Sequence, residues 1–180
     1  MKVLIDACVL FPTVLREVML AVAESGLFTP LWSDRVLEEW ARAARKLGPL
    51  GEVQARGDIA ILRSRWPDAR IAPPAGLEAR LWLPDPNDIH VLAAAIAGNA
   101  DLIVTFNAAD FPRNILTEEG LARSDPDGLL MQLWADHPDA VRAAAERVRA
   151  EATRLSGTDQ DMRKLLKKAG LPRLGKALAH

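Results

Sequence analysis

A chain of 180 residues, 49% hydrophobic and 26% charged, has the balance of a globular protein and room for one α/β core with a small appendage. Its formal net charge of −1 conceals a division: residues 1–120 carry 12 basic and 16 acidic side chains (−4), and residues 121–180 carry 11 and 8 (+3). The one cysteine, Cys8, excludes an internal disulfide framework, and no apolar run approaches the ~20 residues of a membrane span. The apolar run after Met1-Lys2 is too short for a signal peptide, so the expectation is a cytoplasmic protein.

Lys2-Val3-Leu4-Ile5 is a short, nearly continuous apolar run, as expected of a strand buried on both faces, and Asp6 stands at its end. Pro12 opens a helix over 13–24 that Gly26 closes. A second strand signal, 27–32, leads to Ser33 as N-cap of a helix over 34–47, stopped by Gly48-Pro49. Val36, Leu37, Trp40 and Ala44 mark its buried face, while Glu38 and Glu39 lie about 100° apart and cannot share one role. Residues 50–66 form a third helical stretch. Arg42, Arg56 and Arg63, on these two helices, have the forked donors that suit a phosphate backbone; a solvated face of mixed charge accounts for the same residues.

Asp85, Pro86 and Asp88 resemble a capping box before a buried helix over 89–97 that contains His90. Gly98-Asn99 ends that helix, and Leu102-Ile103-Val104 reads as a central strand followed by Thr105, Asn107 and Asp110. Ile115-Leu116 is expected to be a last edge strand. The Asp125-Pro126-Asp127-Gly128 segment marks a boundary between domains at 1–124 and 125–180, the second all-helical. In the last twenty residues Arg163, Lys164, Lys167, Lys168, Arg173 and Lys176 face only Asp161. Such a tail suits nucleic acid, an acidic partner, or water.

Asp6, Glu39, Asp88 and Asp110 come from four separate segments, each at or near a strand end or helix start that a parallel sheet gathers at one edge. A purely structural account needs four independent caps or salt bridges, whereas one divalent cation explains all four. Oxygen-only donors favour Mg²⁺ or Mn²⁺ over zinc. There is no glycine-rich phosphate loop, serine elbow or cysteine nucleophile in context, which argues against a nucleotide cofactor or covalent catalysis.

Four blocks, in order, resemble the PIN domain, the metal-dependent ribonuclease fold of VapC-type toxins. They are Val3-Leu4-Ile5-Asp6, then Ser33 to Trp40, then Leu83 to Ala95, and finally Ile103 to Pro112. The resemblance covers roughly residues 1–120, and the C-terminal residues resemble a helical extension found in some members. It implies a three-layer fold with a central parallel sheet flanked by helices, and an endoribonuclease acting as the toxin of a toxin–antitoxin pair. It also implies a small antitoxin that covers the acidic pocket, and a homodimer. Asp6, Glu39 and Asp88 match the family's acids, Glu39 being preferred to Glu38 by its distance from Ser33. Many members carry an acid at the position of Asn107; Asp110 is the nearest substitute, and Asp85 could join the shell. Ala7-Cys8 stands where Thr-Asn is common, so side-chain hydrogen bonds from those two positions are expected to be missing. The rival readings are a PIN-fold module that binds RNA or a partner without turnover, and a DNA or flap nuclease with the same acidic site.

Overall fold

The computed structural model describes residues 1–179. In chain order its main elements are β1 (Lys2–Ile5), α1 (Ala7–Leu10), α2 (Thr13–Glu24), β2 (Thr29–Ser33), α3 (Asp34–Ala43), α4 (Gly51–Arg65), β3 (Arg70–Ile71), α5 (Ile89–Ala97), β4 (Leu102–Val104), α6 (Arg113–Glu118), β5 (Ala122–Ser124), α7 (Pro126–Asp136), α8 (Pro138–Ser156), α9 (Met162–Lys168) and α10 (Pro172–Leu178). They form two compact units: Met1–Phe11 with Thr29–Ser124, and Pro12–Phe28 with the chain from Asp125 onward. Helix α2 therefore groups with the C-terminal helices rather than with the sheet that precedes it in sequence.

The first unit is an α/β fold built on a parallel sheet of order β3-β2-β1-β4-β5, flanked by helices. Val3, Leu4 and Ile5 of β1 and Ile103 and Val104 of β4 have no exposed surface, which is why both strands read as unbroken apolar runs. The chain steps from β1 to one side through β2 and β3, then returns to the other side through β4 and β5. The topological switch point thus falls between β1 and β4, where open α/β sheets leave a crevice beyond their carboxyl ends. Asp6 and Thr105 are the first residues past those two strands.

Helix α5 packs on β1 and β2 through a fully buried run from Val91 to Ala95, whose alanines permit close approach. Its stop divides the work between two residues. A Cβ on Gly98 would lie 3.0 Å from Leu31 Cδ1 and 3.1 Å from Ile71 Cγ1, so that position needs the missing side chain. Asn99, with φ of 49°, makes the left-handed turn.

Two edge strands differ from expectation. Ile115 and Leu116 lie in α6, not in a strand, because Pro112 sets up a helical turn before them. The edge is instead β5, a three-residue strand whose polar Arg123 and Ser124 give no apolar signal; the β4 backbone holds it in register, with Val104 opposite Ser124. On the far side, β3 is two residues long and equally silent in sequence.

In the second unit α2 packs along α8, α7 against α8 and α10, and α9 against α10. Val141, Ala144 and Ala145 of α8 are buried, as are Leu15, Val18, Met19 and Val22 of α2. Asp127, 4% exposed, accepts from the Arg173 and Leu174 amides at 2.9 and 3.0 Å and so caps α10. No helix among the described residues is long and apolar enough to cross a membrane.

Candidate functional site

Asp6 is 4% exposed and doubly anchored at the end of β1. Its Oδ1 accepts from the Ala7 amide at 2.7 Å, capping α1, and its Oδ2 accepts from the Thr105 hydroxyl at 2.8 Å. Thr105 is tied down in turn, accepting from the Asn107 amide at 3.0 Å. Contrary to the expectation for the Ala7-Cys8 pair, Cys8 does reach the carboxylate: its Sγ lies 3.4 Å from Asp6 Oδ2. Burial, and next the charge of Asp6, push the Cys8 thiol up to about 12, so it stays a neutral donor.

Asp88 ends the turn before α5. Asp85 caps that turn, accepting from the Asn87 amide at 2.9 Å. The capping box is left half-made, because the Asp88 carboxylate finds no hydrogen-bond donor among the described residues. Half-buried and unbonded, it is raised to about 6, first by loss of hydration and then by the charges of Asp6, Asp110, Asp85 and Glu39 in that order. These four carboxylates are the other acids singled out from the sequence, and the fold brings them all into the field of Asp88.

Glu39 projects from α3 beside a buried histidine. His90, 3% exposed, places Nε2 2.6 Å from Glu39 Oε1, although the angle is too bent for a hydrogen bond. In the sequence, His90 stands out only as a polar residue inside the apolar run Ile89 to Ile96. Asp110 closes the turn after β4, and Asn107 is exposed at the start of that turn. Phe106, between Thr105 and Asn107, is 45% exposed with its amide directed at Cys8 Sγ.

Glu38, one residue from Glu39, belongs to another system. It accepts from Arg42 at 3.0 Å and from two nitrogens of Arg56 at 2.9 and 3.0 Å, and these guanidiniums hold its carboxyl down to about 2. Arg56 also meets Glu52 at 2.7 Å, and Arg63 and Arg70 share Asp34. The arginines expected to hold phosphate, Arg42, Arg56 and Arg63, are thus all engaged with carboxylates. A surface pocket of about 580 Å³ lined by Asp34, Arg35, Glu38, Glu39, Arg42 and Arg63 joins this network to Glu39.

The oxygen-only donors suit a hard divalent cation, and the Asp88 carboxyl, raised first by loss of hydration and then by four neighbouring acids, makes no ion pair among the described residues. No three His, Cys, Asp or Glu side chains among the described residues already stand close enough to chelate an ion.

Compared with known families, the chain matches the family model described as the PIN domain over residues 2–109. No curated protein and no solved structure matches it significantly.

Proposed function

The chain belongs to the PIN-domain family, and from that membership we propose that it is a metal-dependent endoribonuclease, the toxin of a type II toxin–antitoxin pair working in the cytoplasm. PIN domains are generally nucleases, typically dependent on divalent metal ions, and the first unit has that nuclease-type fold. The observation that carries the reading is Asp88: a half-buried carboxylate without a donor, set among four others at the mouth of the sheet. Such a group is unfavourable unless the site exists to hold positive charge.

In this reading Asp6, Glu39 and Asp88 hold one Mg²⁺ or Mn²⁺, with Asp110, Asp85 or Asn107 completing the shell. Bound there, the ion supplies an acidified water and neutralises charge developing on the scissile phosphate. The chain's own contribution is orientation. Ala7, Thr105 and Cys8 fix the two oxygens of Asp6, and His90 confines Glu39 from its buried side. The exposed ring of Phe106 offers a face to an unstacked base, which favours a single-stranded RNA substrate over a duplex. A small antitoxin that inserts a cationic side chain among these acids would silence the site, and a homodimer is the expected assembly.

The test is a Mn²⁺ titration of purified protein with a labelled single-stranded RNA, repeated with Asp6→Asn and with single-stranded DNA of the same sequence. Metal-dependent RNA cleavage that disappears in the variant supports the proposal. Retained cleavage in Asp6→Asn removes the site assignment, and preference for DNA removes the RNA assignment. One observation favours a PIN-fold binding module without turnover, namely that no three donors are yet within chelating distance. RNA binding with no cleavage at any Mn²⁺ concentration would establish that alternative.

A further inference from the structure

The molecule carries two basic surfaces in opposite electrostatic states. On α3, α4, β3 and the turn that joins the two helices, Arg42, Arg45, Arg56, Arg63 and Arg70 are all paired with Glu38, Glu52 or Asp34. On α9, Arg163, Lys164, Lys167 and Lys168 are all exposed, and none makes an ion pair among the described residues. At 100° per residue, these four cations fall within an arc of about 140°. Met162, Leu165, Leu166 and Ala169 occupy the other side, with Leu166 fully buried. Gly175 lets α10 press against that side, since a Cβ there would lie 3.1 Å from the Arg163 carbonyl oxygen and 3.2 Å from Leu166 Cβ. Asp161, the acid at the start of the helix, is spent as its N-cap, accepting from the Lys164 amide at 2.8 Å, and Asp159 before it is paired with Arg149.

We infer that the solvent face of α9 binds the phosphate backbone of single-stranded RNA. The choice of RNA among polyanions rests on the nuclease reading of the first unit; the choice of surface does not. A phosphate that meets an unpaired lysine gains by releasing condensed counterions. A phosphate that meets Arg56 must first displace Glu38 and Glu52 from it. The paired arginines therefore contribute little, and the exposed cations of α9 dominate. The competing occupant is an acidic peptide seated in the groove of about 370 Å³ lined by Val14, Leu15, Leu165, Lys164 and Lys168. That groove engages Lys164 and Lys168 and leaves Arg163 and Lys167 outside, whereas a backbone crossing the helix uses all four.

The experiment measures binding of a fluorescein-labelled 20-nucleotide uridine RNA to the full chain by anisotropy, in EDTA so that nothing is cleaved. With four phosphates neutralised, the slope of log K against log salt is about −3, so affinity drops about 50-fold between 50 and 200 mM KCl. Changing Arg163, Lys164, Lys167 and Lys168 together to Gln should weaken binding at least tenfold and flatten the slope, and the pair Arg163→Gln with Lys167→Gln should remove about half of it. Changing Arg42, Arg56 and Arg63 to Gln should leave the slope unchanged. An unaltered slope in the quadruple variant, with its circular dichroism intact, overturns the inference. So does a loss that follows the α3 and α4 arginines. A poly-glutamate peptide that displaces the RNA and loses its own affinity in Leu165→Gln assigns the face to an acidic protein instead, which also overturns it. Cleavage in Mn²⁺ is scored separately: RNA binding through α9 without cleavage sinks only the nuclease reading, and cleavage with α9-independent binding sinks only this one.

Discussion

Glu38 and Asp88 are carboxylates of the same compact unit, and their surroundings push them in opposite directions. Glu38 is partly exposed, clasped by Arg56 and Arg42, and lowered to about 2. Asp88 is half-buried, faces four other acids and is raised to about 6. The arginine network satisfies its acids within the protein; beyond β1 and β4, Asp6 and Asp85 have donors of their own, but Asp88 has none among the described residues. An exposed ion pair can be lost at little cost, whereas like charges held close together mark a place for a ligand.

The most severe way to break that contrast is Asp6→Asn. If Asp6 anchors the ion, metal-dependent RNA cleavage should fall by about a thousandfold or more, since the lost charge stabilisation is several kcal/mol. The amide oxygen keeps the cap on the Ala7 N–H and the amide nitrogen can donate to Thr105 Oγ1, so circular dichroism should be unchanged. Thr105→Val comes next. It removes the hydroxyl that holds Asp6 Oδ2 at 2.8 Å while keeping the shape, and should reduce cleavage or Mn²⁺ affinity about 10- to 100-fold, read by titration calorimetry alongside the rate.

Asp88→Asn tests the repulsion directly, in metal-free protein. The folded-state value lies above the unfolded one, so the native state holds its proton longer, and stability contributed by the neutral form is lost as pH rises from about 4 through 6. The shift alone corresponds to about 3 kcal/mol, which solvent screening of a half-buried group reduces to about 1 kcal/mol. At pH 7 the metal-free variant should therefore melt several degrees higher than wild type while losing cleavage, and the gain should vanish below pH 4. Equal melting temperatures at pH 7 would show that the acids do not burden one another.

Arg56→Gln gives the smallest effect. Glu38 keeps Arg42 and Glu52 keeps Arg45, so melting should barely change at neutral pH. The depressed Glu38 and Glu52 carboxyls contribute stability present above their unfolded values and lost as pH falls toward 2. The variant should accordingly narrow its difference from wild type in acid. A marked loss at pH 7 would mean that the network holds α3 to α4 rather than decorating them.

Local spacing settled a good deal on its own. The unbroken apolar runs of β1 and β4 announce strands buried on both faces, Ser33 announces the start of α3, and the acids read from separate segments are the ones whose charges raise Asp88, because period, caps and strand ends depend on near neighbours in the chain. Apart from i,i+4 pairs such as Arg42 with Glu38, only the folded structure decided which partner each charge meets. Arg56 reaches Glu38 across 18 positions and Arg70 reaches Asp34 across 36, so these arginines end up paired, while the cations of α9 make no ion pair among the described residues. The same holds for the edge of the sheet, where Ile115 and Leu116 carry the apolar signal but Ala122–Ser124 carry the strand, since pairing with β4 is a matter of backbone register and not of side-chain type. Charge and hydrogen bonding act through space over a few ångströms, and for residues far apart along the chain that proximity is created only when the chain folds.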